Sequence, residues 1–158
     1  MRALPQPVWL SGVTDPYQPI ERRIQLTRRC LEVFAAFRNP VGIITKNALV
    51  ARDADLLGEL AQHNAAGVFL SITTLDADLA RKLEPRASAP QARLRAVREL
   101  TDAGIPVGVM FAPAIPGLND HEAPAVLQAA ADAGARSAGF VVLRLPWAVK
   151  SSAATCSS

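Results

Sequence analysis

The chain has 158 residues, half of them hydrophobic and a fifth charged, with a formal net charge of +3. That length supports one domain whose core takes about two-thirds of the unfolded surface out of water, and the composition excludes disorder over most of the chain. The basic residues are spread over Arg22-Arg23, Arg28-Arg29 and the segment from Arg81 to Arg98, with few aromatics between them. This fits solvated helix faces better than a nucleic-acid groove. No apolar run reaches the roughly twenty residues of a membrane span, and MRALPQPVW at the start lacks the apolar stretch of a signal peptide, so a cytoplasmic address is expected. Cys30 and Cys156 lie too far apart in sequence to define a disulfide framework or a local metal cluster; Cys30, in line with Phe34 and Phe37, reads as a small core residue.

In chain order, Val8-Trp9-Leu10 is a first strand that breaks at Ser11 to Asp15 and is ended by Pro16 and Pro19. A helix starting at Pro19 and ending at Asn39-Pro40 is expected, with Glu21 near the positive end of its dipole and Ile20, Ile24, Thr27, Leu31, Phe34 and Phe37 as its apolar stripe. Val41 to Ile44 is a second strand, ending in Thr45, Lys46 and Asn47; Asp53 is expected to cap a helix that turns Leu56, Leu57 and Leu60 inward and stops at Asn64. The third strand, Gly67 to Leu70, runs into Ser71, Thr73 and Thr74, and Asp76 and Asp78 open a helix near Ala77.

A loop from Glu84 to Pro90 precedes a stronger helix through Leu94, Val97 and Leu100, closed by Gly104. The fourth strand, Pro106 to Phe111, leads into a shaped loop from Ala112 to Leu118, after which Asn119 or Asp120 is expected to cap a helix with Val126, Leu127 and Ala130 that stops at Gly134. Ala138 to Leu143 is a fifth strand, followed by Arg144. Residues 1–146 are expected to form one domain, and 147–158, small, polar and aperiodic, a disordered tail.

Strict alternation of strand and helix makes this an α/β chain with parallel strands and right-handed crossovers. Two architectures satisfy it, a partial βα barrel and an open doubly wound sheet; a full eightfold barrel needs about 250 residues, and no GxGxxG follows a strand to favour a dinucleotide site. In either, the strand ends share one mouth. Thr14, Asp15, Thr45, Lys46, Ser71, Thr73, Ala112, Pro113 and Arg144 collect there, a set suited to a small ligand with a carboxylate and hydroxyls. Taken singly, Asp15 is a turn former ahead of Pro16, and Ser71 or Thr73 a turn or capping hydroxyl. Lys46 must either snorkel into water or find an anion. His63 and His121 fall at helix ends and supply no nucleophile–base pair.

Several ordered strings carry a resemblance: GVTDPYQPIE (Gly12 to Glu21), LTR (Leu26 to Arg28), ITKN (Ile44 to Asn47), LVARDADLL (Leu49 to Leu57), SITTLD (Ser71 to Asp76), LEPRA (Leu83 to Ala87), AGIPVGV (Ala103 to Val109), APAIPGLND (Ala112 to Asp120) and LRLP (Leu143 to Pro146). Together they resemble the radical S-adenosylmethionine proteins related to spore photoproduct lyase, over about Val8 to Pro146. The resemblance implies a partial βα barrel. It also implies S-adenosylmethionine and a four-iron four-sulfur (4Fe-4S) cluster as cofactors, and a 5′-deoxyadenosyl radical that abstracts hydrogen from a substrate.

By position, the resemblance places Thr14 and Asp15 at the cofactor's amino group, Lys46 at its carboxylate, Ser71 with Thr73 at the carboxylate or ribose, and Ala112 and Pro113 along the adenine. The family's CxxxCxxC loop does not occur in these 158 residues, so the expectation is a fragment that holds the ligand pocket without the cluster and is inactive alone. A first strand missing before Val8 would leave an edge open to self-association. Nucleic acid enters as a substrate only by analogy with a DNA-repair lyase. Two other readings are a Schiff-base lyase or aldolase using Lys46 as the amine, and a non-catalytic ligand-binding domain.

Overall fold

In the computed structural model, residues 6–11 and 14–144 are described; the expected tail, 147–158, lies outside them. The elements run β1 (Val8–Leu10), α1 (Glu21–Ile24), α2 (Leu26–Phe37), β2 (Val41–Thr45), a 3₁₀ helix (Ala48–Asp53), α3 (Ala54–Ala61), β3 (Ala66–Ser71), α4 (Ala77–Leu83), α5 (Pro90–Asp102), β4 (Val107–Ala114), a second 3₁₀ helix (Asp120–Glu122), α6 (Ala123–Asp132) and β5 (Ser137–Val142). All five strands are parallel and lie in sequence order, β1-β2-β3-β4-β5, with β1 and β5 at the open edges. A doubly wound sheet reverses its strand order partway; this one does not, so right-handed crossovers put every helix on the same side, as in a barrel segment.

Strand alternation sorts the side chains onto two faces. Val41, Ile43, Val68, Leu70, Val107, Val109 and Phe111 are buried in the core with Leu31, Leu57, Leu60, Val97 and Leu100 from the helices. The other face carries Trp9 and Phe69, whose ring centroids are 6.2 Å apart. Trp9 pairs in register with Gly42, and a Cβ on that glycine would sit 2.5 Å from the indole. Gly108, in register with Phe69, clears the phenyl ring in the same way. The aromatic side chains thus lie flat over neighbouring strands because glycine leaves the space.

Several sequence expectations change. The helix expected from Pro19 breaks at Gln25, which takes φ 50°, so α1 and α2 are separate. Thr27, Leu31 and Ala35 are the buried positions of α2, whereas Ile20, Ile24 and Phe37 are exposed. Glu21 is buried and accepts from the Thr27 and Arg28 amides, capping α2 across the break. Cys30 is half-buried; the core position belongs to Leu31. Asn119 caps nothing with its side chain, and β4 runs on through Ala112 and Pro113 to Ala114 instead of ending at Phe111. Asp76 caps α4 as expected, accepting from Asp78 and Leu79 amides. Gly104 and Gly134 follow α5 and α6 with φ of 78° and 100°, the left-handed geometry that ends helices at glycine.

Asp53 is the largest departure. It makes no cap bond, and is fully buried instead. Its carboxylate accepts from the Tyr17 hydroxyl at 3.0 Å, from Arg28 at 3.0 Å and from Arg52 at 2.8 Å, while Arg52 also reaches Glu21 at 3.0 Å. Burial and the neighbouring Asp53 push the Tyr17 phenol far above its ordinary range, so it acts as a permanent donor. This hub ties the β1–α1 loop and α2 to the start of α3. Asp53→Ala is expected to cost about 2–4 kcal/mol, less than for a wholly buried pair because both guanidiniums stay near a quarter exposed and rehydrate. Tyr17→Phe should cost about 1 kcal/mol; urea denaturation midpoints check both.

Candidate functional site

Parallel strands deliver their carboxyl ends to one side of the sheet, and three of them meet in a cleft of about 250 Å³ lined by Ser11, Thr14, Asp15, Ile44, Thr45, Lys46 and Ser71. Thr14, Asp15, Lys46 and Ser71 therefore share one cavity. Ala112 and Pro113 lie one strand further along, on β4, and do not line it. Thr73 is buried behind the cleft: its hydroxyl is 2.8 Å from Glu84 Oε1 and 3.0 Å from the Ala112 carbonyl, one proton between two acceptors. His63 and His121 are exposed at helix ends, and Arg144 is exposed after β5.

Asp15 is chiefly a turn and strand-end anchor. Oδ1 accepts the Tyr17 amide at 2.8 Å and the Thr45 hydroxyl at 2.7 Å, and Oδ2 accepts the Lys46 amide at 2.7 Å. These bonds fix the loop after β1 against the end of β2. A carboxylate offers about four acceptor sites, so Oδ2 retains capacity for a further donor.

Lys46 finds its anion within the protein. Its ammonium lies 2.5 Å from Glu84 Oε1, and Glu84 Oε2 takes Arg93 Nη2 at 2.7 Å. Arg93 is only 1% exposed. Its Nη1 donates to the Ser71 carbonyl and its Nε to the Ser88 carbonyl, each at 2.7 Å. Ser88 closes the circuit, its amide donating to the Lys46 carbonyl and its hydroxyl to Asn47 Oδ1. Burial works to raise the Glu84 pKa, but the Lys46 hydrogen bond and the Arg93 charge outweigh it and hold the carboxyl below its usual range. Asn119, fully buried, pins the turn after β4 by donating to the Thr73 and Pro113 carbonyls. Glu122 accepts from the Thr74 hydroxyl and the Leu75 amide.

Sequence reading places Arg93 on a solvated helix face and gives Glu84 no role. The signal for Arg93 is its spacing. It stands three, four and seven residues before Ala96, Val97 and Leu100, all buried on α5, so it lies on the core stripe, where a charge needs a partner. Nothing local marks Glu84 as that partner. A second cavity, of about 620 Å³, shares Asp15 and Lys46 with the cleft and extends past Tyr17, Asn47, Glu84 and Arg86.

A carboxyl with a depressed folded-state pKa stabilises fully above its unfolded value, here near 4.5, and loses that contribution as pH falls through the lower folded value. Urea midpoints of the wild type are therefore expected to drop more steeply between pH 5 and 3, on the order of the carboxylate range, than those of Glu84→Gln. Asp55, held low by Arg28, contributes equally to both proteins, so the difference in slope reports Glu84.

Comparison with known proteins matches residues 5–130 to the Radical SAM superfamily. The chain is 38% identical over 113 residues to the uncharacterized protein Rv2578c of Mycobacterium tuberculosis (strain ATCC 25618 / H37Rv), covering 72% of this chain and 33% of that protein. It is 33% identical over 115 residues to the uncharacterized protein MJ0683 of Methanocaldococcus jannaschii, covering 73% and 43%. The chain thus spans between a third and a half of the length of these relatives. Among solved structures, a single-site mutant of spore photoproduct lyase superposes with a TM-score of 0.72 at 19% identity, covering 96% of this chain and 45% of that one. A double mutant of the same lyase, with bound AdoMet and dinucleoside spore photoproduct, gives 0.70 at 20% identity, covering 93% and 44%. Sequential parallel strands, polar groups at their carboxyl ends and a family match over most of the described residues lead to one assignment: the chain belongs to the radical SAM superfamily.

Proposed function

We propose that the cleft at the ends of β1, β2 and β3 grips the amino-acid end of S-adenosylmethionine. The observation that carries this reading is the convergence of a cation, a carboxylate oxygen with acceptor capacity to spare and a hydroxyl-bearing residue from three separate strands on one small cavity. Such a set complements a zwitterion: the Lys46 ammonium faces the ligand carboxylate, Asp15 Oδ2 accepts from the ligand ammonium, and Ser71 and Thr14 complete the polar wall. Ala112 and Pro113, on the neighbouring strand, supply an apolar edge for the adenine. Each charge-assisted contact is worth roughly 1–3 kcal/mol. In the family this cofactor supplies a 5′-deoxyadenosyl radical for hydrogen abstraction.

The 4Fe-4S cluster does not fit the residues present. It takes cysteine thiolates, and the 158 residues contain two cysteines, Cys30 on α2 and Cys156. No group of three or more metal-ligating side chains occurs among the described residues. No radical step is therefore assigned to this chain, which we read as the ligand-gripping part of a longer radical SAM protein. Nucleic acid is proposed as that protein's substrate class because two of the spore photoproduct lyase structures hold a dinucleoside photoproduct. The Schiff-base reading has no comparable support: the Lys46 side chain is engaged in an ion pair with Glu84, and no carbonyl-binding pair is assembled around it among the described residues.

Calorimetric titration of S-adenosylmethionine into the iron-free chain tests the reading. Lys46→Ala should weaken binding about 10- to 100-fold and Cys30→Ser should leave it unchanged; no binding, or binding indifferent to Lys46, would remove it. Anaerobic reconstitution with iron and sulfide should leave the chain without a stable cluster. Because β1 is an edge strand with Trp9 57% exposed, we also propose self-association. Its expected sign is concentration-dependent elution on size exclusion that Trp9→Lys reduces.

A further inference from the structure

We infer that Glu84 is a positioning residue for Lys46, and that the buried Arg93 makes it one. This inference rests on the reading of the cleft as an S-adenosylmethionine site and adds to it the group that aims its cation. A lysine at a strand end has four rotatable side-chain bonds and ordinarily samples many rotamers, so it meets an anion only after giving up that rotamer freedom. Here that freedom is already spent.

Three observations support the assignment. Glu84 Oε1 holds the ammonium at 2.5 Å while the Lys46 side chain stays 37% exposed, so the lysine is tethered at its tip without being buried. Three protons on an ammonium allow it to keep Glu84 and still donate to a ligand carboxylate. Glu84 itself cannot follow the lysine: its other oxygen is bound to Arg93, whose remaining bonds go to the Ser71 and Ser88 carbonyls, and the Thr73 hydroxyl buttresses the oxygen that Lys46 uses. Finally, the Arg93 charge offsets that of Glu84, so the ammonium is oriented by a carboxylate whose repulsion of an incoming anion is partly cancelled. Supporting groups of this kind set the geometry of residues that touch the ligand.

A double-mutant cycle on the intact chain distinguishes positioning from a merely structural role. Two probes are titrated: S-adenosylmethionine, and methylthioadenosine, which lacks the amino acid. Glu84→Gln is expected to weaken S-adenosylmethionine binding 5- to 20-fold, to leave methylthioadenosine binding within twofold, and to have no further effect once Lys46 is alanine. Thr73→Val, a milder change that leaves both ion pairs in place, should weaken S-adenosylmethionine binding in the same sense by two- to fivefold. If Glu84→Gln weakens both probes equally, or weakens S-adenosylmethionine equally in the Lys46→Ala background, Glu84 serves the fold and the inference falls. Tighter S-adenosylmethionine binding by Glu84→Gln would show a competitor for Lys46 instead and also overturn it. Failure of the wild type to bind S-adenosylmethionine at all would overturn the site reading, and this inference with it.

Discussion

One buried guanidinium organises the mouth of this sheet. Arg93 projects from α5 into the junction of three segments that are otherwise free to separate: the last residue of β3, the residue that ends α4, and the loop that starts α5. A planar fork with fixed donor directions can satisfy acceptors on all three only in one arrangement, so placing Arg93 places them. Burying a charge is costly unless it is paired. Glu84 supplies the pair, and Lys46 balances the second carboxylate oxygen. The chain Arg93–Glu84–Lys46 thereby links a helix in the core to a lysine at the end of β2 that lines the cleft.

Asp53 works on the same principle at the start of α3. It gathers Tyr17, Arg28 and Arg52 onto one fully buried carboxylate, and Arg52 carries the connection on to Glu21. Glu21 in turn caps α2 across the break at Gln25. Much of the charge on this small domain is therefore spent on holding loops between helices and strands, where the apolar core gives no grip. Asp15 belongs to this group as well, since each of its three contacts is to the protein's own backbone or to Thr45. In the proposed reading, what remains to face a ligand is small: Lys46, one oxygen of Asp15, and the walls formed by Thr14 and Ser71.

The strands were readable from sequence because short apolar runs ended in hydroxyls or charges, and because strict alternation with helices leaves few topologies. Helix ends marked by chemistry that acts within a few residues, such as the Asp76 cap and the glycines after α5 and α6, were readable for the same reason. The break at Gln25 was not: a continuous apolar period runs through Ile20, Ile24 and Thr27, and only a tertiary contact, Glu21 reaching over to the α2 amides and to Arg52, makes two short helices better than one long one. Asp53 and Asn119 looked like caps because their residue types usually are; instead Asp53 was recruited by Tyr17 and Arg28 and Asn119 by Thr73, all far away in sequence.

By itself, then, the sequence determined the parallel α/β plan, the order of its elements and the polar character of the strand ends, because hydrophobic periodicity and turn chemistry are local. It also carried enough ordered strings to identify the superfamily. Only the tertiary structure decided which polar residues meet a cavity and which are consumed as braces. That choice depends on pairings such as Lys46 with Glu84, Glu84 with Arg93 and Tyr17 with Asp53, between groups separated by 38, 9 and 36 positions. Charge complementarity over such separations leaves no periodic trace in the chain; it exists only once the backbone has brought the groups within hydrogen-bond distance and taken them out of water.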